Sequence, residues 1–258
     1  VDVERAIREM DPVAFGIDLH WAPHAHGSVE IARLCKKYHP NTPVIFGGFT
    51  ASYFHEELTS YDCVDYVVRG DSTEEPFTRL MYALKRGGSV ADIPNLTYTD
   101  ASGAVVTTPF THVPATFDHV NLDYSFSMRS VIRDRDMVSA LPFKGWLSYP
   151  VSASLTCRGC TRNCVTCGGS ATAFRQHYGR EQIAFRDPEL LVRDIAHIAK
   201  HIPGPVFVLN DFRQAGDDYI DQFITGLKRI DFRNPIGFEF FTPPSEDFYA
   251  LLDENLND

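Results

Sequence analysis

The chain has 258 residues, of which 44% are hydrophobic, and it carries a formal net charge of −10. Its acidic balance argues against broad contact with nucleic acid or with anionic membranes. No apolar run approaches the roughly 20 residues that a membrane helix needs, so we expect no transmembrane segment. Four of the six cysteines are clustered, which favours metal binding in a reducing compartment over a disulfide framework, so we expect a cytoplasmic location.

Strand and helix patterns alternate over the first ninety residues, and this order is typical of a parallel sheet. The predicted elements are strands at 13–19, 43–46 and 64–68 and helices at 28–38, 53–59 and 73–86. Ser28 is the predicted N-cap of the first of these helices, and Gly87 ends the last one. We therefore predict a partial flavodoxin-like (Rossmann-like) domain over residues 1–93.

The pattern changes at residue 94. Residues 96–107 predict a β-hairpin with its turn at Asp100-Ala-Ser-Gly103. Residues 109–150 hold proline and aromatic residues with little periodicity, which is typical of a linker that wraps a surface. We assign residues 94–150 to this hairpin and linker.

From residue 151 the alternation resumes, over the predicted last domain, 151–258. The predicted elements are strands at 151–155, 205–209 and 236–241 and helices at 188–201, 217–230 and 245–256. A complete βα barrel has eight strands. We therefore predict the N-terminal part of a TIM-type (βα) barrel, and we expect the chain to be a segment of a longer protein.

Four of the six cysteines lie within eleven residues, at Cys157, Cys160, Cys164 and Cys167. The last three give a C-x3-C-x2-C spacing, which allows three thiolates to bind one [4Fe-4S] cluster and leaves one iron open. Two alternatives remain at this point. The two C-x2-C pairs suit a tetrahedral zinc, although zinc ribbons usually separate their pairs by a longer loop, and all four cysteines suit an electron-transfer cluster.

A C-x3-C-x2-C loop that follows the first strand of a βα barrel resembles the radical S-adenosylmethionine (radical SAM) superfamily. The resemblance implies that Cys160, Cys164 and Cys167 bind a [4Fe-4S] cluster whose open iron chelates S-adenosylmethionine. Reduction would then cleave this cofactor to a 5′-deoxyadenosyl radical. Cys157 is left over by the motif, so we expect it to be a packed residue.

Three residues around the last cysteine are predicted to bind S-adenosylmethionine: Thr166, Gly168 and Gly169. In the family the position of Thr166 is often aromatic and lies near the adenine, so the resemblance implies no stacking there. The glycines permit a close approach of the backbone. Three polar residues that follow the loop are predicted to be solvated surface, with contact to an anionic group as the alternative: Arg175, His177 and Arg180.

Polar residues also follow the later strands of the second half. Asn210 and Asp211 occupy the position where the family often has Gly-Gly-Glu, which implies contact with the methionine amino group; a plain helix-entry turn is the alternative. Glu239 lies in an apolar run, where a buried carboxylate needs a partner. It is predicted either to contact S-adenosylmethionine or to form a structural salt bridge.

The first half resembles the second part of the cobalamin (B12)-binding domain that precedes the radical SAM barrel in the B12-dependent subgroup. The resemblance lies in Val13-Ala-Phe-Gly-Ile, in Pro43-Val-Ile-Phe-Gly47-Gly48 and in Val64-Asp-Tyr-Val-Val-Arg69-Gly70-Asp71. It implies that Gly47 and Gly48 lie near the dimethylbenzimidazole tail of cobalamin and that Arg69 and Gly70 also bind it. For the Gly-Gly pair, a tight turn is the alternative.

His20 and Trp21 follow the first predicted strand and are predicted to line the cobalamin crevice or a domain interface. The run Asp18-Leu19-His20 resembles a motif in which histidine binds cobalt from below, but Pro23 stands where that motif has glycine. We therefore do not predict His20 as the lower ligand. His24 and His26 belong to the same histidine-rich loop.

The resemblance implies a B12-dependent radical SAM enzyme that transfers a methyl group to an unactivated carbon. Its implied partners are a small-molecule, natural-product or lipid substrate and a reductant such as a flavodoxin or ferredoxin, with no nucleic acid. The family also contains ring contraction and other non-methylating reactions. The alternatives are a radical SAM enzyme without cobalamin and a non-catalytic iron–sulfur or zinc module.

Overall fold

The computed structural model describes residues 2–121, 124–135, 137, 141, 143–230 and 232–256. The chain forms two compact units, the first from Val1–Pro114 with Arg162–Gln182 and the second from Ala115–Thr161 with Ile183–Asp258. The predicted domain boundaries run in chain order, whereas the segment Arg162–Gln182 groups with the first unit. The functional assignment of residues 1–93, 94–150 and 151–258 stays a prediction.

The first unit is built on a five-stranded sheet in the order β1-β2-β3-β4-β5. The first three strands are parallel and the last two form an antiparallel hairpin, as the sequence predicts. The strands are β1 (Phe15–Asp18), β2 (Val44–Gly47), β3 (Tyr66–Val68), β4 (Leu96–Thr99) and β5 (Val105–Thr107).

Six helices of the first unit accompany this sheet. They are α1 (Val3–Glu9), α2 (Ala25–Tyr38), α3 (Phe49–Tyr53), α4 (His55–Thr59), α5 (Glu74–Arg86) and α7 (Ala171–Tyr178). The prediction of Ser28 as an N-cap is wrong, because a 3₁₀ turn (Ala22–His24) containing Pro23 leads directly into α2 and puts His24 at the N-cap. The predicted helix over 53–59 corresponds to α4, and the preceding helix α3, which it meets at Phe54, was not predicted.

The end of α5 agrees with its sequence. Gly87 has the left-handed conformation of a C-cap, with φ +65°. The core beneath the sheet contains fully buried residues from β2, β3 and α2, including Val44, Phe46, Val67 and Ala32. Apolar burial of this kind is the main stabilising contribution to such a unit.

The second unit contains a three-stranded parallel sheet in the order β10-β9-β6 and a two-stranded ladder, β7 with β8. Its elements are α6 (Tyr124–Asp134), β6 (Ser152–Leu155), β7 (Cys157–Arg158), β8 (Ala184–Phe185), α8 (Pro188–His201), β9 (Val206–Leu209), α9 (Asp217–Arg229), β10 (Ile236–Phe238) and α10 (Glu246–Leu256). Asp187 caps α8, since its carboxylate accepts from the Glu189 and Leu190 amides at 2.9 and 3.1 Å.

The prediction that 109–150 is a structureless linker is wrong in part, because α6 lies within it. In this helix, Ile132 is 72% exposed. The ladder of β7 with β8 was also not predicted, since its strands have two residues each.

A buried ion pair stabilises the second unit. Arg186 is 1% exposed and contacts Asp194 at 2.8 Å, while its Nη1 donates to the Phe117 carbonyl at 2.7 Å. Around it, α8 and α9 bury Leu191, Ile195 and further apolar residues on the sheet.

Within the part of the chain that the structure describes, no helix is long and apolar enough to cross a membrane.

We expect Arg186→Ala to lower the free energy of unfolding of the second unit by about 3–5 kcal/mol, because Asp194 would stay buried with only its 3.9 Å contact to Arg193. Urea denaturation followed by circular dichroism measures this change. The matched control is Arg229→Ala, which removes an exposed pair with Glu189 and should cost less than about 1 kcal/mol. Equal effects of the two substitutions would contradict the expectation.

Candidate functional site

The carboxyl ends of β1 and β2 meet in a tight contact at Gly48. This residue has φ +105°, and a Cβ atom built on it would lie 2.7 Å from the Leu19 carbonyl oxygen. The Leu19 amide donates to the Gly47 carbonyl at 2.7 Å, and the Leu19 carbonyl accepts from the Ala51 amide at 3.1 Å. Glycine is therefore required at position 48 by the backbone packing, as the tight-turn alternative predicts.

Gly70 lies at the carboxyl end of β3, in the same part of the sheet. Its amide donates to the Ser52 hydroxyl at 2.9 Å, and that hydroxyl donates to the Gly48 carbonyl at 2.9 Å. The sheet thus brings three of the predicted cobalamin-binding glycines, Gly47, Gly48 and Gly70, to one edge. Such edges at the carboxyl ends of parallel strands are where doubly wound sheets bind ligands.

Arg69 is directed into the hairpin. Its side chain is buried over the Phe110 ring and donates to the Leu96 and Thr108 carbonyls. Burial lowers the pKa of Arg69 to about 10. These contacts show a role in joining β3 to the hairpin, and cobalamin binding by Arg69 stays a prediction.

The cysteine loop continues into helix α7, which the sequence analysis did not predict. The Cys167 amide donates to the Cys164 carbonyl at 3.2 Å, and Ser170 caps α7 through a bond from the Ala173 amide at 3.3 Å. This turn leaves Cys164 and Cys167 exposed. Thr166 and Gly168 on the same turn are exposed too, and Gly169 is half-buried.

A cavity of about 630 Å³ lies within the first unit, in the size range of ligand pockets. One wall comes from the segments after β1 and β2, and the other comes from the end of the cysteine loop and α7. We call it the aromatic cavity. Its lining is His20, Trp21, Ala22, Phe49, Thr50, Tyr53, Phe54, Cys167, Gly168, Gly169, Ala173, His177 and Tyr178.

The aromatic cavity brings together two predicted sets of residues. His20 and Trp21 come from the predicted cobalamin-binding set, and Gly168 and Gly169 come from the predicted S-adenosylmethionine-binding set, beside Cys167. The described lining does not include Thr166, Gly47, Gly48, Arg69 or Gly70.

Aromatic contacts build the wall of the cavity. The centroid of the Phe49 ring lies 4.4 Å from that of His20 and 4.7 Å from that of Tyr178. The ring centroids of Tyr53 and His177 lie 4.3 Å apart. Burial raises the pKa of Tyr178 to about 12, so this phenol stays protonated. Phe49, Tyr53 and Tyr178 were not predicted as site residues. A signal existed for Phe49, which directly follows the Gly47-Gly48 pair.

Two of the three polar residues predicted as surface have other positions. His177 lines the aromatic cavity. The prediction is wrong for Arg180, whose side chain is 3% exposed and forms an ion pair with Asp71. Arg175 is exposed and pairs with Glu181 at 3.0 Å, as predicted for a surface residue.

In the second unit, Asn210 and Glu239 lie together at the carboxyl ends of β9 and β10. The backbone amide of Asn210 donates to Glu239 Oε2 at 2.7 Å, and the backbone amide of Glu239 donates to the Val208 carbonyl at 3.2 Å. Asn210 has φ +68°, a left-handed conformation that asparagine adopts more readily than most residues. Glu239 is exposed. The prediction that this carboxylate is buried, and therefore needs a partner, does not hold.

Asp211 differs from its two neighbours because it is 4% exposed. Its carboxylate accepts from Arg213 at 2.6 and 2.8 Å and from the Phe241 amide at 3.0 Å. Burial acts to raise the pKa of Asp211, but the bonds from Arg213 and Phe241 outweigh it, so the pKa is lowered and the carboxylate stays charged. The predicted helix-entry turn is present, since Asp211 caps the 3₁₀ turn at Phe212–Ala215.

The cysteines have the donor chemistry that an iron–sulfur cluster needs. All six lie in the described part of the chain and none forms a disulfide, with Cys160 half-buried and Cys164 and Cys167 exposed. Cys157 is 3% exposed, which confirms that it is packed. The described residues contain no preformed group of three or more His, Cys, Asp or Glu side chains arranged to hold a metal ion. The three-cysteine cluster site therefore stays a prediction.

Comparison with protein families finds a match to the B12 binding domain over residues 1–79. A curated relative is an uncharacterized methyltransferase of Pyrococcus horikoshii, which is 28% identical over 171 residues, or 66% of this chain and 34% of the relative. The chain therefore spans about a third of that protein.

Solved structures give matches over nearly the whole chain. The radical S-adenosylmethionine methyltransferase TsrM from Kitasatospora setae, with cobalamin and a [4Fe-4S] cluster bound, matches with a TM-score of 0.68 and 18% identity, over 97% of this chain and 48% of TsrM. The cobalamin-dependent S-adenosylmethionine radical enzyme OxsB, with aqua-cobalamin and S-adenosylmethionine bound, matches with a TM-score of 0.65 and 15% identity, over 96% of this chain and 34% of OxsB.

These matches confirm the resemblance to B12-binding radical SAM proteins at the level of the fold and of the B12-binding domain. Residues 1–79 match the B12 binding domain, and the α/β fold of the chain is similar to the folds of TsrM and OxsB. The prediction of a flavodoxin-like part followed by part of a radical SAM barrel is thus confirmed for the fold class.

We expect Gly48→Ala to destabilise the first unit by about 1–3 kcal/mol more than Gly103→Ala does, because position 48 adds a backbone clash to its glycine-only conformation. Gly103 is the matched control, since it also has positive φ but has no atom within 4 Å of an added Cβ. Thermal unfolding of both variants measures the difference. Equal shifts in melting temperature would contradict the packing argument.

Proposed function

We propose that this chain is the cobalamin-binding and cluster-binding part of a B12-dependent radical SAM enzyme whose reaction is methyl transfer to an unactivated carbon. The observation that carries the proposal is the aromatic cavity, in which residues of the B12-binding domain and residues of the cysteine loop form one lining. A site of this kind holds cobalamin beside the loop that would hold the cluster.

His20, Trp21, Phe49 and Tyr53 would bind cobalamin through apolar and aromatic contact. Trp21, Tyr53 and Phe54 are each more than 40% exposed around the cavity, and a large exposed apolar rim is typical of a ligand site. Gly47, Gly48 and Gly70 would allow the ligand to approach the backbone at the strand ends. Arg69 would support these glycines indirectly, because its side chain bonds to the hairpin.

Cys160, Cys164 and Cys167 would hold a [4Fe-4S] cluster. When bound, the cluster supplies the electron that cleaves S-adenosylmethionine, and cobalamin serves as the methyl carrier. Cys157 would take no part, because its thiol is buried and lies 3.8 Å from the Gly159 carbonyl oxygen. Thr166, Gly168 and Gly169 lie on the same exposed turn and would contact S-adenosylmethionine.

The exposed carboxylate of Glu239 would bind the ammonium group of S-adenosylmethionine. One of its oxygens is fixed by the Asn210 amide, and a charged acceptor of this kind binds a cation more strongly than a neutral group does. Asp211 would support the turn, because Arg213 and the Phe241 amide occupy its carboxylate. From the family resemblance we propose a small molecule, a natural product or a lipid as the substrate. We propose a flavodoxin or a ferredoxin as the reductant.

We expect hydroxocobalamin to slow the alkylation of Cys167 at least about tenfold relative to Cys164. Both thiols are exposed on one turn, but only Cys167 lines the aromatic cavity, so Cys164 is an internal control. Iodoacetamide labelling followed by peptide mass spectrometry measures the two rates. Equal protection of both thiols, or of neither, would contradict cobalamin binding in this cavity.

We expect anaerobic reconstitution to load about four irons per chain and to allow release of 5′-deoxyadenosine from S-adenosylmethionine with a reductant. Alanine at Cys160, Cys164 or Cys167 should abolish most of the iron binding, whereas Cys157→Ala should retain it and serves as the matched control. Iron analysis and chromatography of the nucleoside provide the measurements. Zinc in place of iron, or equal loss of iron in Cys157→Ala, would favour the zinc or four-cysteine alternative.

A further inference from the structure

The second half of the cysteine loop belongs to the compact unit that contains the B12-binding domain. Residues 162–182, which we call the loop arm, carry Cys164, Cys167 and α7 and pack within the first unit. The positions of Cys164 and Cys167 therefore depend on contacts inside that unit.

The strongest polar contact of the loop arm is an ion pair between Arg180 and Asp71. The two side chains are 3% and 2% exposed. Arg180 Nη2 donates to Asp71 Oδ1 at 3.0 Å, and Arg180 Nε donates to Asp71 Oδ2. This bidentate geometry fixes both the distance and the orientation of the partners, which a lysine cannot reproduce.

Further bonds of the guanidinium anchor the arm on the same side. Arg180 Nη1 donates to the Pro114 carbonyl at 3.0 Å, and Nη2 donates to the Ser72 hydroxyl at 3.2 Å. A buried guanidinium with so many bonds needs all of its partners in place, because an unpaired buried charge is unfavourable. The pair therefore selects one position of the arm against others.

Apolar contacts transmit this position to the cavity wall. Gly179 has φ +60°, and a Cβ atom there would lie 2.9 Å from the Phe110 ring. Tyr178 and Phe174 of α7 pack on Phe49, with ring centroids 4.7 and 5.7 Å from its ring. Arg180 thus directly follows Tyr178 and Gly179, which contact Phe49 and Phe110 and so fix the end of α7.

We propose that Arg180 and Asp71 are a positioning pair that holds the loop arm, and with it Cys164 and Cys167, as one wall of the aromatic cavity. Only the identity of the cavity's ligand rests on the proposed function. Because the arm forms part of the lining, filling the cavity and ordering the arm are energetically linked, and each favours the other.

Hydrogen–deuterium exchange of the ligand-free protein tests the pair. In Arg180→Lys, amides of residues 164–178 should exchange at least about tenfold faster, while amides of β1, β2 and β3 keep their native rates. A purely structural role would accelerate exchange throughout the first unit, and an unchanged loop arm would leave the pair without a role. Either of these results overturns the proposal.

Two further variants and a control sharpen the test. Asp71→Glu with Arg180→Lys returns the length that lysine lacks and should recover part of the native exchange rate. Ser72→Ala removes one bond of the guanidinium and gives a smaller change of the same kind if Arg180→Lys fails to fold. Arg175→Lys, at an exposed position of α7 in the same loop arm, should leave exchange unchanged, and an equal effect there would overturn the proposal.

A second measurement addresses the link to the cavity. In Arg180→Lys, the protection of Cys167 by hydroxocobalamin should fall several-fold, whereas full native protection would overturn the link. If the native protein binds no hydroxocobalamin, the proposed function fails, and the exchange experiment still decides the positioning pair.

Discussion

Helix α7 is attached to the first unit by the ring contacts of Phe174 and Tyr178 with Phe49 and, just after its last residue, by the buried ion pair of Arg180 with Asp71. Without this attachment the aromatic cavity would have one wall, since Cys167, Gly168, Gly169 and the α7 residues supply the other. The Gly48 turn is its counterpart, because it places Phe49 just after β2 at a point where the Leu19 carbonyl leaves no room for a side chain at position 48. Backbone geometry and a charged contact together create the site.

The second unit follows the same principle with different residues. Its sheet brings Asn210 and Glu239 together across neighbouring strands, and the Asp211–Arg213 pair fixes the turn between them. In both units an ion pair with a buried carboxylate supports an exposed polar or aromatic surface beside it. Rigid support of this kind lets exposed groups keep a defined geometry for a ligand.

Most of the strands and the longer helices could be predicted from the sequence, because Val44–Gly47 and Pro188–His201 have strong apolar patterns and Asp187 and Gly87 are clear caps. Short or exposed elements could not: α3 has five residues, and α6 exposes Ile132. The cysteine motif was visible from its spacing alone. The burial of Arg180 was not, because its partner Asp71 lies 109 positions away and local patterns carry no information about such a pair.

The chain has two tryptophans, and their surroundings differ. Trp21 lines the aromatic cavity with 64% of its surface exposed, whereas the indole of Trp146 donates to the Val151 carbonyl at 2.9 Å in the other unit. Indole emission responds to the polarity around the ring and to nearby absorbing groups. The protein therefore contains an intrinsic fluorescent reporter at the cavity and a second, separately located indole that serves as its reference.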